Sequence, residues 1–319
     1  MPSTLRDLLT ARLDTLSPGA RETAQLGAAL GREFRRDYLR AGSARPDRLD
    51  EDFAELLASG LLYRRRRVRD EIYVFRHALV RDAAHDSMTR STRRAVHARI
   101  AATLGREFPE LERERPDILA QHFEEAGNVG RAASLWKRAG DLPMARGGYV
   151  ESMRHFERGL HLIDGAREPE RYAREEMELA ESMGVALTST EGYSSAGAEH
   201  AFTRALGACD RLGVDPSIRI LHGICGLYLS RGDEEGTDRL LPRVYRLAER
   251  EPKDPNLLSA HAYRGLRALH AGDFRTAVEQ NRIAIRHYDT EGYHAFLRDY
   301  GYDGGLYAFG YLMWALTFL

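Results

Sequence analysis

The stretch GLLYRRRRVRDEIYVFRHALVRDAAHDSM, Gly60 to Met88, is where the periodicity of the chain changes. Four consecutive arginines, Arg64, Arg65, Arg66 and Arg67, precede a run in which Tyr73 and Phe75 alternate with Ile72 and Val74. That alternation is a strand pattern, and Leu61 to Arg67 can pair with it across Val68-Arg69-Asp70-Glu71. The stretch admits three readings: a basic wing for DNA, an element that senses a nucleotide, or a solvated hairpin in front of a helix.

The flanks favour a hairpin appended to helices. Leu5, Leu8, Leu9 and Leu13 keep helical spacing, with Ser3 or Thr4 as cap. Ser17-Pro18 opens a second helix, since serine caps free amides and proline suits a first turn. A short helix surrounds Tyr38, and a fourth carries Leu49, Phe53, Leu56 and Leu57 and closes at Gly60. Several helices followed by one two-stranded hairpin is the plan of a winged helix, and no other sheet is predicted.

A DNA-binding wing fits poorly. Successive strand positions point to opposite faces, so only half of the four arginines can meet one partner. Asp70 and Glu71 occupy the tip, and the helix that would enter the groove carries Asp47, Asp50, Glu51, Asp52 and Glu55, which repel a duplex. A hairpin that is solvated or paired within the molecule is the preferred reading. The nucleic-acid alternative keeps one further feature. The helix RSTRRAVHARI places Arg90, Arg94 and His97 on one face beside Arg64, Arg65, Arg66 and Arg67, a possible basic surface.

The chain has 319 residues, 43% hydrophobic and 30% charged, with a net charge of -1. That balance describes a folded protein and gives no global pull toward nucleic acid or membrane. Residues 1–115 carry 23 Lys and Arg against 18 Asp and Glu, and the remainder carries 24 against 30. Cys209 and Cys225 form no framework, and the start is amphipathic without a secretory apolar core, so a cytoplasmic location is expected. The longest apolar run, YAFGYLMWALTFL, is shorter than the roughly 20 residues a bilayer requires.

Beyond Met88 the pattern is helix pairs. EAGNV (125–129), SRGDE (230–234) and HAGDF (270–274) are similar turns. Each is followed by two small or medium residues two helical turns apart: Ala132 and Ala139, Thr237 and Val244, Ala277 and Ala284. TEGYS (190–194) has the same pair one place later, Ala198 and Ala205. Gly184, Gly226 and Gly265 supply small residues in the preceding helices. The turn glycines suit left-handed caps, and the array reads as degenerate tetratricopeptide-like repeats. Pro242 should kink or restart its helix. The fold class expected is mainly α: a winged-helix-like domain with one β-hairpin over residues 1–89, a connecting helix over 90–115, and a tetratricopeptide-like α-α superhelix over 116–319. The last repeat reads as truncated: Leu306, Phe309, Leu312, Met313 and Leu316 keep helical spacing along one face whose partner helix is missing, so an exposed apolar patch and self-association through that helix are expected.

The segments RLDTLSPGARETAQLGAALGREF, FRHALVRDAAHDSM, RRAVHARIAATL, LAQHFEEAGNVGRAASLWKRAG and HFERGLHLI follow in order. Together they resemble the region downstream of the ATPase in bacterial STAND-type regulators, which include multidomain adenylate/guanylate cyclases and large LuxR-type transcriptional regulators. The resemblance is strongest from Arg12 to Gly159. It implies an upstream ATPase, a winged helix, and a repeat superhelix that receives a protein or small-molecule effector. FRHALVRDAA is similar to the Met-His-Asp motif whose histidine approaches the β-phosphate of ADP. His77 is the matching position, with Arg76 in place of the methionine and Ala78 in place of the aspartate, so Arg76 and Arg81 would add charge.

The chain itself shows no P-loop, because its two lysines, Lys137 and Lys253, are followed by Arg138 and Asp254. ATP or ADP therefore belongs to the parent protein and no cofactor to these residues. HARI and QHFEE read as interhelical contacts instead of metal ligands, and Ser87, His85 and Asp86 on one helix cannot converge as a triad. No catalytic or metal-binding set emerges. The expectation is a non-catalytic regulatory and protein-interaction module, with nucleic acid disfavoured and no membrane.

Overall fold

The computed structural model describes residues 5–66, 71–288 and 303–319, in two compact units, Met1–Leu135 and Trp136–Leu319. The first unit begins with α1 (Leu5–Asp14), α2 (Pro18–Leu30), a short strand β1 (Glu33–Arg35), α3 (Arg36–Gly42) and α4 (Leu49–Ala58). Ser17 caps α2 by accepting a hydrogen bond from the Ala20 amide, with Pro18 in the first turn. The hairpin β2 (Leu62–Arg66) and β3 (Glu71–Phe75) follows, then α5 (Ala78–Asp86), α6 (Arg90–Glu107), α7 (Pro109–Glu114) and α8 (Pro116–Glu125).

The sheet has three antiparallel strands in the order β1-β3-β2, so the hairpin is not the whole sheet. β1 pairs through Phe34 opposite Tyr73, and β2 through Arg64 opposite Tyr73. β1 has no readable period, because three residues with a single apolar side chain cannot show an alternation. Its central neighbour explains the apolar run. β3 lies between two strands with Ile72, Tyr73, Val74 and Phe75 all buried, whereas β2 is an edge and carries the arginines. Phe53 from α4 stacks on Tyr73 at 3.8 Å between ring centroids, and Phe34 packs on the other side of the cluster.

α9 (Val129–Met144) leads into the second unit, which continues as α10 (Tyr149–Asp164), α11 (Ala173–Glu191), α12 (Ala196–Leu212), α13 (Ile218–Arg231), α14 (Glu234–Arg250), α15 (Asp254–His270), α16 (Phe274–Arg286) and α17 (Gly304–Thr317). Successive helices pack as tetratricopeptide-like pairs, α11 with α12, α13 with α14, α15 with α16, each pair on the next. The turn glycines Gly192, Gly232 and Gly272 all have positive φ, as the repeated turns require. The small residues after them, Ala198, Ala205, Thr237, Val244, Ala277 and Ala284, are fully buried at helix contacts. Phe202 fills the gap between α11 and α13: a Cβ on Gly184 or Gly223 would meet its ring at 2.7 or 2.3 Å. Pro242 does not restart its helix; α14 runs through it as one element.

α17 packs on α15 and α16 through Gly304, Gly305, Ala308 and Ala315. The apolar face read from the sequence lies outward, as expected of a helix lacking a partner there, with Leu306 and Met313 each 68% exposed. Small residues set the close approach of helices, and the large apolar side chains follow from what remains.

Candidate functional site

Two arginines of the hairpin, Arg64 and Arg65, are paired within the molecule. Arg64 lies 3.1 Å from Glu71, and Arg65 lies 3.1 Å from Glu33 on β1. Arg36 contacts Glu71 at 3.0 Å and Asp50 at 2.6 Å. Partial burial of Glu71 raises its pKa, but hydrogen bonds from Arg36, Arg64 and Tyr73 prevail and hold the carboxyl below its usual range. The backbone of Arg66 closes β2 opposite Glu71, and Arg67 lies outside the described residues.

Arg76, His77 and Arg81 lie where β3 passes into α5. The Arg76 side chain donates to the Gly60 carbonyl at 3.1 Å, and Arg81 lies 2.7 Å from Asp82. His77 sits at the N-cap position of α5, exposed, and its side chain makes no capping bond. Arg90 and Arg94 are exposed on α6, but His97 does not share their face. It is buried, and its Nδ1 lies 2.9 Å from Nδ1 of His122 on α8. Its place four residues before buried Ala101 and seven before buried Leu104 puts it on the packed stripe. Among the described residues no cluster of three or more His, Cys, Asp or Glu side chains is placed to hold a metal ion. No helix among them is long and apolar enough to cross a membrane.

The chemistry of the second unit concentrates around an aromatic cavity that the sequence reading did not single out. Its volume is 460 Å³, bounded by α13, α15, α17 and the turn before α12. Tyr193, next to the turn glycine Gly192, lies flat against α13, where a Cβ on Gly226 would meet its ring at 2.3 Å. Its hydroxyl is 2.9 Å from Nε2 of His222, and Tyr263 donates to the His222 carbonyl at 3.0 Å. Burial keeps His222 neutral by lowering its pKa to about 3, and burial likewise raises that of Tyr193. A buried Tyr-His-Tyr set therefore fixes one wall.

α17 provides the other wall. Tyr307, Tyr311 and Trp314 follow one another at four and three residues, one stripe of the helix. Burial pushes the Tyr311 hydroxyl up to about 12. Tyr307 and Trp314 remain 43% and 62% exposed at the rim, with Ser230 and His270 at the polar edge. The spacing of these three rings was the available signal, but in an apolar run it is masked by Leu306, Phe309 and Met313. Cys209 and Cys225 are buried free thiols, and burial raises the Cys225 pKa to about 12.

A mainly α chain with a small antiparallel sheet and tetratricopeptide-like pairs defines a helical-repeat protein. Comparison with known proteins agrees at that level. The solved structure of a Signal Transduction ATPase with Numerous Domains (STAND) protein with a tetratricopeptide repeat sensor, from Pyrococcus horikoshii, aligns with 99% of this chain at a TM-score of 0.52 and 14% identity. An uncharacterized protein of Rhizobium meliloti (strain 1021) is 27% identical over 208 residues, 64% of this chain. The matches span 47% of the Pyrococcus chain and 20% of the Rhizobium protein. No family model matches.

Proposed function

We propose that this chain is the regulatory, non-catalytic part of an ATP-dependent signal-transduction protein, receiving an effector or partner on its helical repeats. The observation that carries this reading is the alignment of nearly the whole chain, sheet-bearing unit and repeats alike, with a STAND protein that has a tetratricopeptide repeat sensor. In this reading α2 to α4 with the sheet β1-β3-β2 form a winged helix beside an upstream ATPase. ATP and ADP bind there, and His77 faces the phosphate, with Arg76 and Arg81 adding positive charge. The exposure of His77, and its freedom from capping α5, support that assignment. The output domain is a nucleotide cyclase or a LuxR-type DNA-binding module. Use of the hairpin itself for nucleic acid is the weaker reading, since Arg64 and Arg65 are already paired with Glu71 and Glu33.

The test uses the full gene product. Its reading frame should encode a P-loop upstream of Met1, and deletion of residues 136–319 should change steady-state ATP turnover without abolishing it. Turnover identical with and without the repeats, or a frame that encodes no P-loop, rejects the proposal.

A further inference from the structure

We infer that the cavity between Tyr193 and α17 is a binding site for an uncharged small molecule built on a flat ring system of two or three fused or linked rings. This deepens the effector-binding role proposed above and rests on it for its regulatory meaning, while the binding itself is a property of the cavity.

Size excludes the alternatives first. At 460 Å³ the cavity is in the range of small-molecule sites, roughly 300–1,000 Å³. An α-helix with side chains is about 10 Å across and would not enter. Charge comes next. No Asp, Glu, Lys or Arg is among the described residues lining the cavity. A charged ligand would give up hydration there without an ion pair in return. The wall chemistry selects what remains. Tyr193, Tyr263, Tyr307, Tyr311 and Trp314 offer ring faces and edges, which pair with another flat ring in stacked or edge-on geometry. Apart from the tyrosine hydroxyls, the polar side chains of the described lining lie at one edge. The Ser230 hydroxyl donates to the Leu227 carbonyl, which leaves its oxygen to accept, and His270 lies beside it on α15. The ligand therefore carries at most one or two hydroxyl, amide or carbonyl groups at one end.

Two features mark the cavity as more than a packing gap. Gly226 admits the Tyr193 ring onto the backbone of α13, and any side chain there would push the ring into the open volume. On the opposite wall, Tyr307 and Trp314 are large rings left partly in water at the rim, where a bound molecule would cover them. α17 itself is seated on its neighbours through Gly304, Gly305, Ala308 and Ala315, with Phe318 stacked on Phe274 and Phe309 edge-on to Tyr288. A ligand bridging Tyr193 and Tyr263 to Tyr311 and Trp314 would add a further large-area contact that fixes this helix.

N-phenyl-1-naphthylamine, an uncharged dye that brightens when buried, is the probe. Its partner is 8-anilino-1-naphthalenesulfonate, nearly the same ring system with a sulfonate added. On the full chain carrying Trp136→Phe, so that Trp314 is the sole indole, the neutral dye should bind one-to-one and take up Trp314 fluorescence. The sulfonate should bind roughly ten-fold more weakly or worse, as expected for an unpaired charge. Ala262→Phe, which fills the cavity, should weaken the neutral dye by roughly ten-fold, a loss on the scale of one buried ring contact. Ser230→Phe, at the exposed rim, serves the same purpose if circular dichroism shows that Ala262→Phe has not folded. Leu306→Ser, on the outward face of α17, should leave binding unchanged. Dye binding unaffected by the filling variants, equal binding of the sulfonate, or displacement of the neutral dye by tetramethylammonium would overturn the inference. Each of these results leaves the ATP-turnover test standing, and a failure of that test leaves the dye measurement intact.

Discussion

His97 and His122 meet through their Nδ1 atoms at 2.9 Å, which leaves room for one proton between the two nitrogens. Burial lowers the pKa of both; His85 and Arg93 add to the effect on His97, and His97 adds to that on His122. The consequence for stability has a definite sign. Above a pH of about 6.5 both rings are neutral in the folded and unfolded chain, and the contact stabilises fully. As pH falls below that value the unfolded chain binds protons that the folded chain refuses, so stability is lost progressively toward the lowered folded pKa values. His222, buried with a pKa of about 3, contributes in the same direction. The urea midpoint should therefore drop between pH 7.5 and 5, before most carboxylates titrate. Replacing His97 and His122 together with leucine should flatten part of that dependence, leaving the part due to His222. An unchanged slope in the double variant would show that the pair does not carry it. The interhelical contact was readable from HARI and QHFEE, but its burial was not, because Arg93, Arg94 and Arg99 in the same two turns hide the packed stripe.

The hairpin answers the question raised by its arginines. β2 is an edge strand, where unpaired backbone groups invite pairing with another chain, and a row of charges discourages it. Glu71 and Glu33 pair with Arg64 and Arg65 of that row from within. Since such pairs are partly exposed, Arg64→Ser and Arg65→Ser should each change the unfolding free energy by less than about 1 kcal/mol. In a gel shift with mixed-sequence duplex at low salt the parent chain should show little binding, and tight binding lost in Arg64→Ser and Arg65→Ser would reverse this reading. The hairpin was legible because a strand of four apolar residues breaks the helical period. β1 was illegible because its pairing is decided by Phe34 docking beside Tyr73, a contact formed only in three dimensions. On α17 the outward apolar face was legible from its large side chains, whereas its seat was not, because Gly304, Gly305, Ala308 and Ala315 set it.

In the molecule as a whole the same division recurs. The repeats were legible at their turns, where Gly192, Gly232 and Gly272 lie 40 residues apart. The cavity was not, because Tyr193, Gly226, Tyr263 and Tyr311 come from four separate elements and share no local spacing. Arrays of this kind derive stability from each repeat and its immediate neighbours, so damage spreads by contact and weakens with distance along the stack. The second unit contains both tryptophans, Trp136 and Trp314, whereas helicity is spread over both units. Indole fluorescence thus reports on one unit and far-ultraviolet circular dichroism on both. Gly223→Ala places a Cβ against the Phe202 ring at 2.3 Å, between α11 and α13, and overpacking of this sort costs about 1–3 kcal/mol. In urea the fluorescence transition of that variant should move to lower denaturant, while part of the circular dichroism change stays at the parental midpoint. Two probes that separate in this way signal two cooperative units. If they remain superimposed in the variant, the whole chain unfolds as one, and Phe202 supports the sheet-bearing unit as firmly as its own repeat.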